Sequence, residues 1–345
     1  MENRLHHKSS IYLLSICLLL SGCGPATIVV GITPGDQQVV PTVVQSEGYW
    51  VSDRVAIIEV AGLIHNGRSP GLISEGENPV SLLTECLTAA EHDDDVKAVI
   101  LRINSPGGTV TASDAMYREV RRFRQHSGKP VVALMLDVAA SGGYYLACAA
   151  DDIVAYPSTI TASIGVILQT ISFKEALNSI HIKADAITSG PNKDAGSPLS
   201  DLTPEQRKTL AALVDDFYKR FLGIVRERRP LIPADKFAMV TDGRVLSGSQ
   251  ALALGLVDQN GDLHDAFDLA KKLAHLDKAN LVVYHRPLEY VGSAYAHAPG
   301  NSGGAGGGSG NPGIPGGTQI NFAQINIGEG LLWNTAGFYY LWSPQ

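Results

Sequence analysis

A chain of 345 residues, 45% hydrophobic and 18% charged, can bury a full core, and one catalytic domain with appendages is its natural organisation. Its 34 acidic residues outnumber 27 basic ones, and the resulting net charge of −7 offers no broad basic surface, which excludes nucleic acid as a partner.

The amino terminus carries positive charge at Arg4 and Lys8, followed by an apolar run from Ile11 to Leu20. That run is too short to span about 30 Å of hydrocarbon, so residues 1–22 read as a signal peptide. It ends in Leu20-Ser21-Gly22-Cys23, which resembles the bacterial lipobox, with Cys23 as the lipidated residue. An ordinary secretory signal with a chance cysteine is the alternative. Several acyl chains on one cysteine anchor stably where one is marginal. The expected location is therefore the bacterial cell envelope, membrane-anchored and facing the periplasm or the exterior. Of the four cysteines, Cys17 leaves with the signal; an oxidising compartment permits a disulfide between Cys86 and Cys148, but both lie in apolar helical contexts that suit buried free thiols.

Residues 23–50 are rich in Pro, Gly, Val and Gln without helical periodicity and read as a tether, with structure beginning near Val51. Arg54 to Val60, Val96 to Ile103 and Pro130 to Leu136 are apolar runs of strand length. They alternate with helical patterns over Pro79 to Glu91 and Ala112 to Arg124. This alternation predicts an α/β fold with a largely parallel sheet. Thr203-Pro204-Glu205-Gln206 predicts a capped helix start. Leu210, Leu213, Val214, Phe217, Phe221 and Ile224 then form one apolar stripe, expected to pack on the core. Residues 291–318 form a Gly, Pro and Ser-rich linker, and 319–345 an aromatic tail that either adds a strand to a neighbouring subunit or lies in a substrate groove.

Three loops carry chemistry. Asn104-Ser105-Pro106-Gly107-Gly108 follows a strand, and its glycines let backbone N–H groups point outward as an oxyanion hole requires; a plain turn is the alternative. In Ala139-Ala140-Ser141-Gly142-Gly143-Tyr144-Tyr145, a serine between small residues at a strand-to-helix junction has an accessible hydroxyl, with the Gly142 N–H as a second oxyanion donor. In isolation this is also a helix cap. A nucleophilic serine needs a base, and no histidine lies between Gly142 and Ile180. Lys193, in Ser189-Gly190-Pro191-Asn192-Lys193-Asp194-Ala195-Gly196-Ser197-Pro198, is the lysine that stands out; an exposed loop lysine is the alternative. A lysine serves as base when burial disfavours its charged form.

These motifs, with Thr161-Ala162-Ser163-Ile164-Gly165-Val166, Asp242-Gly243-Arg244-Val245 and Leu254-Gly255-Leu256-Val257-Asp258, resemble in order and spacing the S49 peptidases of the short bacterial signal peptide peptidase A group. The resemblance covers residues 51–290. It implies a caseinolytic-protease/crotonase-like fold with repeated β-β-α units and a C-terminal helical portion. It also implies Ser141 as nucleophile, Lys193 as general base, Ser163 orienting the lysine, Gly108 and Gly142 as the oxyanion hole, and no cofactor or metal. The implied substrates are signal peptides and other extended apolar peptides. Because the family's long members carry two tandem copies and this chain one, it implies a homo-oligomeric ring whose serine and lysine may meet across subunits. The Asp242 to Val245 segment is expected to be structural. Two rival readings are a crotonase-type acyl-CoA enzyme and a non-catalytic peptide-binding membrane scaffold; intact Ser141, Lys193 and Ser163 argue against the second.

Overall fold

A computed structural model describes residues 38–68, 76–287, 291–296 and 338–342. The expected signal peptide, the expected lipidation site Cys23 and most of the expected linker and tail lie outside the described residues.

Three runs that are apolar along almost their whole length become the central strands: β2 (Arg54–Ala61), β3 (Val96–Ser105) and β5 (Val131–Ala140). Such runs require cover on both faces, as parallel sheets have. The sheet order is β1 (Val40–Gln45), β11 (Asn280–His285), β2, β3, β5, β6 (Asp152–Ala155) and β10 (Gln259–Asn260). Every neighbouring pair is parallel except β1 with β11. On one face, α1 (Pro79–His92) and α2 (Val110–Ser127) bury Leu83, Met116, Val120 and Phe123 against Ile58, Leu101 and Ile103. On the other, Leu263, Ala266, Phe267 and Ala270 pack on Val55, Ile57, Ile100 and Leu134. The α/β class with a largely parallel sheet is thus as the sequence predicts. The helix ends follow local chemistry: Asn78 caps α1 ahead of Pro79, and Gly128, at φ 68°, closes α2 by donating its N–H to the Arg124 carbonyl.

Short elements extend the far end of the sheet. The strand β4 (Gly107–Thr109) leads into α2, making β3–β4–α2 a β-β-α unit, and the single-turn helix α3 (Gly142–Ala147) follows β5. The strand β7 (Ile160–Ala162) continues the sheet beside the last residues of β5, and β8 (Ile167–Leu168) leads outward to α4 (Lys174–Ser179). After α5 (Pro204–Arg228) and α6 (Ala234–Val240), β9 (Val245–Ser247) pairs antiparallel with β7. The helices α7 (Gly248–Ala253) and α8 (Leu263–Leu273) complete the C-terminal helical portion.

Three expectations change. Val40–Gln45, inside the segment read as a tether, is a strand on β11, and Val39 is buried beside it, so order begins well before Val51. Ala296, inside the segment read as linker, accepts a hydrogen bond at 2.8 Å from the buried Arg102 guanidinium. The helix α5 has the predicted Thr203–Gln206 capping box, but only its second half packs on the core: Phe221 and Val225 are buried, whereas Leu213 is exposed. An apolar stripe specifies a partner without saying which molecule supplies it. Both Cys86 and Cys148 are buried free thiols, and burial pushes Cys148 up to about 12.

The Leu254 to Asp258 motif has a structural role. Arg229, 7% exposed, makes two hydrogen bonds to the Asp258 carboxylate, at 2.8 and 3.0 Å, and that carboxylate also accepts the Ile153 N–H at 2.8 Å. Arg229 is buried while Asp258 reaches solvent, so removing the carboxylate strands a buried guanidinium, at a cost of up to about 3 kcal/mol, while replacing both by apolar residues costs less. Asp258→Ala should therefore lower unfolding stability by up to about 3 kcal/mol in a urea titration, and Asp258→Leu with Arg229→Met by clearly less.

Candidate active site

At the C-terminal end of β3 the chain turns on Ser105, whose hydroxyl donates to the Gly62 carbonyl at 2.6 Å and accepts the Gly107 N–H at 3.1 Å. Asn104 Oδ1 accepts the Val138 N–H at 3.2 Å and ties this loop to β5. Gly107 takes φ 104°, a region closed to side-chain-bearing residues. Gly108 then lies so close to the segment around Ile64 that a Cβ on it would stand 1.8 Å from the Ile64 carbonyl oxygen. On that side Ile64 N–H donates to Gly107 O and Thr109 N–H to Ile64 O, both at 2.8 Å. The N–H of Gly108 is left facing the opposite edge of β4.

The loop after β5 meets this one almost backbone to backbone. A Cβ on Gly142 would lie 3.1 Å from Gly108 N and 2.5 Å from Ser113 Oγ, and one on Gly107 would lie 2.6 Å from Gly142 N. The amides of Gly108 and Gly142 therefore border the same small space. Beside it is Ser141, 1% exposed, with φ 52° and ψ −110°. Positive φ at a residue with a side chain is strained and persists only where the surroundings enforce it. Here they do: Ser141 N–H donates to Ala162 O at 2.8 Å, and Ser141 O accepts the Tyr145 N–H at 2.8 Å. Because α3 is a single turn, what it offers an anion is the Gly142 amide at its start, not the field of a long helix.

The parallel pairing of β5 with β7 sets Ala140 opposite Ala162, so Ser141 and Ser163 follow adjacent strand ends, about 5 Å apart in strand spacing. Ser163 is 7% exposed, at φ 50°, and donates its N–H to the Arg244 carbonyl at 2.8 Å. Val245 pairs with Ala162 in β9. The Asp242 to Val245 segment is thus a brace for Ser163, a structural role.

Lys193 is not part of this cluster. Its loop is fixed by Gln206, whose side-chain amide donates to Pro191 O at 2.7 Å and to Asp194 Oδ1 at 2.9 Å. Lys193 itself is exposed, and among the described residues no hydrogen bond joins its ammonium to Ser141 or Ser163. A single chain brings together Ser141, Ser163, Gly108 and Gly142 and leaves the lysine outside.

Beside the serine lies an aromatic pocket that sequence reasoning did not assign. The Tyr145 ring meets Tyr117 at 5.3 Å and Phe221 at 5.0 Å, both edge-on, and its hydroxyl donates to Asp114 Oδ1 at 2.8 Å. Arg220 and Arg118 also donate to the Asp114 carboxylate, at 2.6 and 2.8 Å. Tyr145 stood within a recognised motif, but Asp114, Arg220 and Phe221 come from helices whose pattern signals only packing. The aromatic tail also reaches the site: β12 (Phe338–Leu341) pairs antiparallel with β4 on one edge and β8 on the other. It adds its strand within its own chain.

Comparison with known proteins agrees with this architecture. The family model described as Peptidase family S49 matches residues 123–277. A putative protease of Synechocystis sp. is 37% identical over 65% of this chain and 76% of its own length. The chain belongs to peptidase family S49. Among other relatives, a putative signal peptide peptidase SppA of Enterococcus faecium is 32% identical over 67% of each chain, and Protease 4 of Salmonella typhi is 37% identical over 67% of this chain. The S49 chain spans only 36% of the length of that Protease 4. No helix of the described residues is long and apolar enough to cross a membrane.

Burial pushes the Asp114 carboxyl up, but the hydrogen bonds from Arg118, Tyr145 and Arg220 outweigh it and hold the group below the usual carboxylate range. A carboxyl depressed in the folded state adds stability that is fully present above its unfolded value of about 3.9 and is lost as pH falls through the folded value. Melting temperature followed from pH 7 to pH 2 should therefore show Asp114→Asn less stable than wild type at pH 7, with the difference shrinking below about pH 4.

Proposed function

We propose that this S49 chain is a membrane-anchored serine endopeptidase in which Ser141 is the nucleophile and Lys193 the general base. The observation that carries the reading is Ser141 held in a strained turn beside the converging amides of Gly108 and Gly142. Neutral Lys193 takes the Ser141 proton as the hydroxyl attacks a peptide carbonyl. The two amides bind the oxyanion, Lys193 returns the proton to the leaving amine, and water hydrolyses the acyl-enzyme. Ser163 hydrogen-bonds the lysine and orients it. An acyl-CoA enzyme of related fold would have no use for the strained serine, and family membership favours the peptidase.

In this reading the lysine arrives from a second copy, in a homo-oligomeric ring. The exposed position of Lys193 supports it, as does the apolar surface of the segment around it: Ile171, Phe173, Ile180, Ile182 and Ile187 are all exposed. A run of exposed apolar residues of this kind marks an association surface.

The substrates are extended apolar peptides, including cleaved signal peptides, in keeping with the name of the Enterococcus faecium relative, a putative signal peptide peptidase. Lipid on Cys23 and the segment that follows would hold the site at the envelope membrane where such peptides remain. No cofactor enters the mechanism.

Ser141→Ala and Lys193→Met should each lower casein hydrolysis by at least about 10³-fold with the fold intact by circular dichroism. Co-assembling the two inactive variants in equal amounts should restore about a quarter of wild-type activity, because interfaces that combine an intact serine with an intact lysine form at random. No recovery would place the pair within one chain.

A further inference from the structure

The helix α5 carries one buried residue that the core does not explain. Among the described residues from Gly165 to Arg220, Gln206 alone is buried, although Glu205 and Arg207 on either side of it lie open to solvent. A buried side-chain amide needs partners, and Gln206 has them at both ends. Its oxygen accepts the Thr203 N–H at 3.0 Å, while the Gln206 main-chain N–H donates to the Thr203 hydroxyl at 3.2 Å, which closes the capping box. Its side-chain nitrogen donates to Pro191 O at 2.7 Å and to Asp194 Oδ1 at 2.9 Å. Capping uses the oxygen alone. The nitrogen serves residues on either side of Lys193.

Residues 189–198 contribute no buried side chain that would hold this loop by packing. Local turns shape it, with Lys193 N–H donating to Gly190 O at 3.2 Å and Ser197 N–H to Asp194 O at 2.9 Å. Gln206 is what joins the residues flanking Lys193 to the helix. That helix is set in the core at its other end, since Phe221 and Val225 are buried, and Gln206 stands about 22 Å along it from Phe221. The helix α5 is thus a strut, with one end in the core and the other holding the lysine loop out from it.

We propose that Gln206 is the positioning residue for the general base. Its amide presets the backbone on both sides of Lys193, so that the lysine of one chain meets Ser141 of the next without first ordering its loop. The inference rests on Lys193 acting as base from a second copy. A loop of small residues left free must be ordered at each encounter, and a base misplaced by about 1 Å costs about 10²-fold in rate.

The test separates the clamp from the cap. Gln206→Glu keeps an oxygen for the Thr203 N–H but has no N–H to give, and it sets a second carboxylate against Asp194. In the purified full chain in detergent it should lower kcat for casein about 10²-fold with KM unchanged within about twofold. Thr203→Ala removes the other bond of the cap and leaves the clamp, so it should lower the melting temperature and leave kcat unchanged. Because the lysine works on a neighbour's serine, Gln206→Glu mixed in equal amounts with Ser141→Ala should recover about a quarter of wild-type activity, and mixed with Lys193→Met none. A Gln206→Glu chain with wild-type kcat, a Thr203→Ala chain that loses kcat as deeply, or equal recovery with both partners overturns the inference and leaves the reading of Ser141 and Lys193 standing. Lys193→Met that hydrolyses casein like wild type, or that fails to complement Ser141→Ala, overturns that reading and the inference with it.

Discussion

The site depends on two loops approaching each other more closely than side chains allow. The turn after β3 and the turn after β5 come within a Cβ's reach of each other at Gly107, Gly108 and Gly142, and Gly108 is pressed on its far side against Ile64. Each glycine is there because another backbone, or Ser113, occupies the place of its side chain. That proximity turns two ordinary peptide N–H groups into a convergent pair, preorganised and partly shielded from water, where a hydrogen bond to a developing oxyanion is strongest. An added methyl group at any of the three would separate the loops without touching Ser141.

The sheet supplies the force that maintains this arrangement. Positive φ at Ser141 and Ser163 costs of order 1–3 kcal/mol each, and it persists because β5, β7 and β9 are paired up to the residues that immediately precede or flank the two serines. Strand ends that stop level with one another place the serines side by side, whatever their distance in sequence. The Asp242 to Val245 segment, which carries no reactive group of its own, matters because it provides the last rung of that ladder.

The strands and helices of the core were legible because β2, β3 and β5 are buried on both faces and so are apolar almost throughout, while α1 and α2 show period and caps together. The candidate oxyanion glycines and Ser141 were legible because close backbone approach leaves a compositional trace. Other features left none. Val40–Gln45 resembles a Val- and Pro-rich tether because an edge strand needs only backbone partners, here supplied by β11. The stripe on α5 predicts cover for the whole helix, yet only half finds it within the chain, since periodicity reports that a face is buried and not against what. Asp114 and Arg220 reach Tyr145 from two separate helices, a convergence that no local pattern encodes.

The edges of β4 and β8 hold residues 338–341 as an extended strand between them. Main-chain pairing on both edges holds an extended segment without regard to its side chains, while the aromatic pocket around Tyr145 takes the side chain of the residue opposite Gly108. Backbone pairing along both edges fixes where this strand lies, and the aromatic pocket fixes which of its residues stands beside the amides of Gly108 and Gly142.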